Sequence, residues 1–262
     1  MIPFASAIRS AVSTFARGLA DLVLPGLCAA CARQDAAAEG LCQPCNVRLL
    51  AIVSLGYCPR CASTLGPNIP ARDDGCWSCQ ATLPRFERVI RLGPYADPLR
   101  QLVRGLKYCS RDSMRRRLGA MLAEAVAARK ADRRFDLVMP VPMHWRRRLA
   151  RGYDHARIVA CEIARRLELP LGDELVRARH TPTQVGLSRT QRIQNVRGAF
   201  ALTSARAIAG ASVLLVDDVA TTGATANEAA KTLLDGGAEH VTLAVIAKAE
   251  APTAYAEHLG GG

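Results

Sequence analysis

Towards the C-terminal end of the 262-residue chain, the run VLLVDDVATTGAT (Val213–Thr225) places two adjacent aspartates between four apolar residues and a stretch of small and hydroxyl-bearing ones. Like charges that close repel one another unless donors or cations sit beside them. Thr221, Thr222, Gly223, Ala224 and Thr225 read as a tight loop opening a helix. There amide protons, hydroxyls and the helix dipole all favour one anion, and glycine permits close backbone approach. A monophosphate suits that loop, while Asp217 and Asp218 suit a pair of vicinal hydroxyls. A ribose 5-phosphate satisfies both halves, with Val219 and Ala220 linking the acids to the loop. A Walker-type nucleotide loop is excluded, because no Gly-Lys-Ser/Thr follows.

A second chemistry stands at the front of the chain. Eight of the ten cysteines form four C-x-x-C pairs: Cys28 and Cys31, Cys42 and Cys45, Cys58 and Cys61, Cys76 and Cys79. The two-residue gap lets both thiolates of a pair face one ion while backbone amides turn toward the sulfurs, and two pairs complete a tetrahedral site. The stretch is poor in large apolar residues and is expected to depend on the metal for folding. Two structural zinc ions in two ribbons are predicted, with first pair joined to second and third to fourth as the simplest arrangement and an interleaved one left open. Disulfides fit poorly with a reducing compartment, and no βαβ pattern supports thioredoxin-like redox chemistry. Closed four-thiolate sites leave no coordination position for catalysis. Cys109 and Cys161 stand alone and read as core or surface thiols.

The elements that must position the acid pair follow from periodicity. Strands are predicted over RFERVIRLGPY, FDLVMPVP, the opening motif and HVTLAVIA. Helices are predicted over DPLRQLVRGLKY, with Leu99, Leu102, Val103 and Leu106 on its apolar face, over 113–129, over ARGYDHARIVACEIARRLEL, with Ile158, Cys161, Ile163 and Leu167, and over about 225–234. Alternating strands and helices argue for a mainly parallel α/β sheet flanked by helices. In such sheets ligands sit beyond the carboxyl ends of the strands, where Asp217 and Asp218 fall. The expected organisation is an amphipathic N-terminal helix over 1–24, a double zinc ribbon over 25–84, the α/β domain over 85–250 and a tail over 251–262. No signal peptide and no membrane span are read from the N-terminal residues, and a cytoplasmic location is expected.

The net charge of +12 is unevenly spread: residues 100–197 hold 23 Lys and Arg against 9 Asp and Glu. That surplus favours polyanionic partners, whether phosphates, pyrophosphates or nucleic acid.

The 213–225 run resembles the 5-phosphoribosyl-1-pyrophosphate (PRPP) motif of type I phosphoribosyltransferases at every position. With the four cysteine pairs, MPVPMHWRRRLARGYDHA and RARHTPTQVGLSRTQRIQNVRGAF, nearly the whole chain is similar to the ComF family of competence-associated, phosphoribosyltransferase-like proteins. One departure is Asp154-His155, where members often carry Asn-Gln; it is expected to alter a contact near the basic helix and leave the phosphate site untouched. The resemblance implies the type I fold, PRPP or another ribose 5-phosphate as ligand, and magnesium bound with PRPP. It assigns Asp217 and Asp218 as catalytic and 217–225 as the PRPP site. It also implies that the loop after the first core strand holds pyrophosphate, with Arg151 favoured over Arg146, Arg147 and Arg148, and Lys107 in second line. Residues 180–198, with Thr183, Gln184, Arg192 and Asn195, are the candidate flap; His144, His155 and His180 are the candidate general bases. Three readings follow: a magnesium-dependent phosphoribosyltransferase with unknown acceptor, a non-catalytic competence factor that binds single-stranded DNA and meets the DNA-uptake machinery, and a PRPP-sensing regulator.

Overall fold

Four runs rich in Val, Leu and Ile build the central sheet. The computed structural model describes residues 27–33, 40–66, 68–80, 84–108, 112–129, 134–143, 154–179, 181–182 and 186–251. The N-terminal 1–24 segment therefore lies outside the described residues. Numbered in chain order, the sheet strands are β1 (Arg88–Pro94), β2 (Leu137–Pro140), β5 (Ser212–Ala220) and β6 (His240–Lys248). They pair in the order β1-β6-β5-β2, all parallel. Strands covered on both faces read as near-continuous apolar runs, and LVMP of β2 is buried at all four positions.

The pleat divides β5 between two cores. Leu214 and Val216 pack with α4 (Asp112–Ala127) and α5 (His155–Leu167), through Leu118, Leu122, Val159 and Ile163. Val213 and Leu215 pack with α7 (Ala224–Asp235), through Ala226, Ala229, Ala230 and Leu233. The helix after β2 thus covers one face and the helix after β5 the other. The chain diverges between these neighbouring strands and opens a crevice at their carboxyl ends.

Most helices fall where periodicity places them. Leu99, Leu102, Val103 and Leu106 are all buried on α3 (Leu99–Tyr108). The apolar face of α5 needs correcting: Cys161 is exposed, Ile158 and Leu167 are half-buried, and the buried set is Ala156, Val159, Ala160, Ile163 and Ala164. Small side chains decide this, because α4 and α5 lie so close that a Cβ on Gly119 would stand 2.8 Å from Glu162 Cβ. A ranking by hydrophobicity favours the larger side chains and turns the helix the wrong way.

The Cys-rich segment contributes α1 (Gln43–Val53) and the single turn α2 (Trp77–Gln80). Leu49 and Ile52 of α1 join the core on β1, and the Ile52 carbonyl lies 3.1 Å from where a Cβ on Gly93 would stand, so this strand position has little room for a side chain. A second, antiparallel pair, β3 (Leu175–Arg177) with β4 (Phe200–Leu202), flanks α6 (Arg189–Val196). Ser188 and Gln191 form a reciprocal capping box at the start of α6. Among the described residues, no helix is long and apolar enough to cross a membrane.

Candidate functional site

The acid pair stands at the end of β5, where pairing with β6 still continues through Val219↔Ala247 and Ala220↔Lys248. Asp217 Oδ1 accepts from the Asp218 amide at 2.8 Å, and Asp218 Oδ1 from the Val219 amide at 2.7 Å. The chain then turns through Gly223, whose φ of 76° is the left-handed region that glycine enters without penalty. Its carbonyl accepts from Asn227 N at 2.8 Å and starts α7. Lys248 Nζ donates to the Thr221 carbonyl, fastening the loop to β6.

These residues form one wall of a cleft of about 370 Å3. Asp217, Asp218, Val219, Ala220, Thr221, Gly223, Ala224 and Thr225 all line it, facing Tyr95, Pro142, Met143, Asp154, His155, Arg177 and Ala249. Asp154 organises the opposite rim: its side chain caps α5 by accepting from Arg157 N at 3.2 Å and takes the Met143 amide at 3.4 Å. Arg177 reaches in from β3, with its guanidinium 5.3 Å from the Phe200 ring centroid and donating to Thr181 Oγ1 at 2.5 Å. Burial, and then the Asp218 charge, push the Asp217 carboxyl well above the ordinary carboxylate range, and the Asp154 charge adds to the effect. The bond from the Asp218 amide opposes them. The step at Asp154-His155 therefore reaches this cleft and the acid pair: helix α5 begins at the rim, so its cap and first residue line the cleft with the acids.

Arg146–Arg148, Arg151, His144, His180, Thr183 and Gln184 lie outside the described residues. So does the side chain of Lys107, on the last turn of α3. Arg192 and Asn195 fall on α6, away from the cleft lining, where they bond to the carbonyls of Leu187 and Pro182. Tyr95 and Arg177 escaped sequence reasoning. Tyr95 had a signal, since it is the last residue of the run RFERVIRLGPY; Arg177 sits in a three-residue strand within an arginine-rich run and had none.

The eight paired cysteines gather into two tetrads, Cys28/Cys31/Cys42/Cys45 and Cys58/Cys61/Cys76/Cys79, with all sulfurs of each within 4.8 Å of one another. The third knuckle repeats the first. Cys28 and Cys58 carbonyls accept from Ala32 and Ala62 amides at 2.9 Å, and both alanines take positive φ, 58° and 65°. Four of the sulfur separations lie between 3.6 Å (Cys31–Cys42) and 3.9 Å (Cys76–Cys79). A tetrahedral ion about 2.3 Å from four sulfurs needs edges of about 3.8 Å, whereas a disulfide needs about 2.0 Å. The donor sets fit a four-thiolate ion. Burial alone would raise the Cys28 thiol, but amides of Cys42, Cys31 and Ala30 and the Cys31 side chain outweigh it and bring it to about 6. Burial and neighbouring thiols push Cys45 and Cys79 up instead. Four thiolates that close need a cation among them.

The phosphoribosyl transferase domain family matches residues 154–258, which include the acid pair and its loop. Competence protein F of Haemophilus influenzae is 34% identical over 218 residues, covering 81% of this chain and 92% of that protein. The chain belongs to the ComF family. Two further relatives carry the name DNA utilization protein YhgH. That of Salmonella typhi is 31% identical over 226 residues and that of Escherichia coli K12 32% over 227; each alignment covers 84% of this chain and 96% of the relative. The alignments span far more than the matched domain, so the ComF relationship extends beyond the acid pair and its loop.

Proposed function

We propose that this ComF protein binds PRPP in the cleft at the carboxyl ends of β2 and β5 and transfers its phosphoribosyl group to an acceptor. The observation that carries the reading is the convergence of the acid pair with Thr221, Gly223, Ala224 and Thr225 on one cleft, which Thr222 of the same loop does not line. In this reading the loop amides and hydroxyls hold the 5-phosphate, and Asp217 and Asp218 accept from the 2- and 3-hydroxyls. The bond from the anomeric carbon to pyrophosphate breaks as the bond to the acceptor forms, and pyrophosphate leaves with the electron pair. Arg151 and Lys107 are the proposed pyrophosphate partners. Magnesium, a hard cation that keeps several waters and needs few protein ligands, would enter with PRPP and neutralise the departing diphosphate. Catalysis then rests on positioning and charge. The two tetrads are assigned to structural zinc.

One preparation tests these assignments. Protein purified under reducing conditions is expected to carry two zinc ions per chain and to bind one PRPP with magnesium in a calorimetric titration. Sugar hydroxyls and the cation favour ionised Asp217, which the free protein holds protonated to unusually high pH. Binding therefore releases a proton, and affinity rises with pH until free Asp217 is ionised, then levels off. Titrations in buffers of different ionisation enthalpy read the proton. Binding with no proton release, or weaker binding as pH rises, refutes the role given to Asp217.

A second reading, binding of single-stranded DNA, is favoured by the names of the relatives and by the basic 100–197 section. It predicts an affinity for single strands that falls linearly on logarithmic axes as salt increases. Affinity indifferent to salt ends it.

A further inference from the structure

The second tetrad and the ligand cleft are joined by a buried ion pair. Arg91 of β1 has a fully buried side chain, and its Nη1 lies 2.9 Å from Glu250 Oε1, a side chain only 8% exposed. The same Nη1 donates to the Ala62 carbonyl at 2.5 Å, and Nη2 to Thr64 Oγ1 at 2.7 Å. Glu250 in turn accepts from the Thr64 amide at 2.9 Å and from the Thr64 hydroxyl. Ala62 closes the Cys58–Cys61 knuckle through its amide, so two residues just past that knuckle, Ala62 and Thr64, supply the other polar partners of the pair.

On its other side the pair reaches the cleft within two residues. Ala249 precedes Glu250, lines the cleft and donates its amide to the Ala220 carbonyl at 2.8 Å. Lys248, one residue earlier, holds the Thr221 carbonyl of the phosphate loop. A buried charge pair tolerates only a fully bonded arrangement, since either ion left without partners bears its whole desolvation cost. Opening the knuckle removes the Ala62 and Thr64 partners at once, water enters, and the Ala249–Glu250 segment loses its anchor beside the loop.

We propose that Arg91, Thr64 and Glu250 are positioning residues that couple the second tetrad to the cleft: an ion held by Cys58, Cys61, Cys76 and Cys79 and a sugar-phosphate held by the Thr221–Thr225 loop stabilise each other. The proposal rests on the PRPP reading of the cleft. Coupling of this kind is reciprocal in affinity, so the ligand must tighten the ion by the factor by which the ion tightens the ligand, and a more tightly held ion is expected to leave more slowly. Among the described residues the tetrad at Cys28 makes no hydrogen bond to this ion pair, and it serves as an internal reference.

The experiment follows zinc release from the full-length protein to a chromogenic chelator, with and without saturating PRPP and magnesium. One of the two ions is expected to leave about 5-fold or more slowly when PRPP is present, and the other at an unchanged rate. Thr64→Val, which removes the bridging hydroxyl, should abolish the protection, and Thr64→Ser should retain it. PRPP binding in calorimetry with both release rates unmoved overturns the coupling and leaves the PRPP reading standing. Equal slowing of both ions also overturns it, as general stabilisation. Absence of PRPP binding overturns the reading and the coupling together. The wild-type measurement decides among these even where Thr64→Val fails to fold.

Discussion

Asp217→Asn with Asp218→Asn is expected to reduce PRPP affinity by about 100-fold or more while leaving the protein folded and more heat-resistant. Each carboxylate is assigned a hydrogen bond from a sugar hydroxyl, and a bond to a charged acceptor contributes roughly 1.5–3 kcal/mol. Two such losses come to at least about 3 kcal/mol, or two decades in affinity. Stability moves the other way. Asp217 is raised well above the ordinary carboxylate range by burial and by Asp218, so its favourable contribution to folding is full at acid pH and is lost as pH rises through the folded-state value. Asparagine keeps an oxygen for the Asp218 amide and removes that repulsion. The difference in melting temperature should therefore widen from acid to neutral pH. Calorimetric titration with PRPP and magnesium, beside thermal melts at several pH values, reads both effects. A variant that melts earlier at neutral pH would mark the pair as structural; one that binds PRPP as tightly as the wild type would remove the acids from the site.

Glu250→Gln is expected to destabilise the protein by about 3–5 kcal/mol, because the Arg91 guanidinium then stays buried without its counter-charge. Arg91→Met alone leaves the Glu250 carboxylate in the same position and should cost a similar amount. Combining Arg91→Met with Glu250→Gln removes both charges and keeps an acceptor for the Thr64 amide, so the double variant should recover much of the loss. The interaction energy from the four proteins, measured by denaturant unfolding, is expected to be at least about 2 kcal/mol. Additive single losses would mean that the pair is no unit. By contrast, removing the exposed Arg72–Asp74 pair, whose side chains are 68% and 56% exposed, should change stability by under about 1 kcal/mol.

The 221–225 loop and the cysteine tetrads were legible in the sequence because their chemistry is local. Asp217, Asp218 and the loop residues lie within nine positions, and one strand–turn–helix carries them all. A C-x-x-C knuckle likewise closes on itself, as the repeated Ala32 and Ala62 turns illustrate. The parallel sheet was legible for a related reason: strands covered on both faces carry near-continuous apolar runs, as do β2, residues 213–216 of β5 and residues 243–247 of β6. The face of α5 was not, because Ala156, Ala160 and Ala164 were passed over for larger neighbours, and closeness of approach is set by a helix elsewhere in the chain.

Residue types and short spacings alone therefore determined the α/β class, the four cysteine knuckles and the loop suited to a phosphate. Tertiary structure alone decided which knuckles share an ion site, that Tyr95, Asp154 and Arg177 face the acid pair, and that Arg91 meets Glu250 across 159 positions of chain. The physical reason is range. Backbone turns and strand periodicity act between neighbours in sequence, whereas a buried charge finds its partner, and a cleft its far wall, only once the sheet has brought distant segments together.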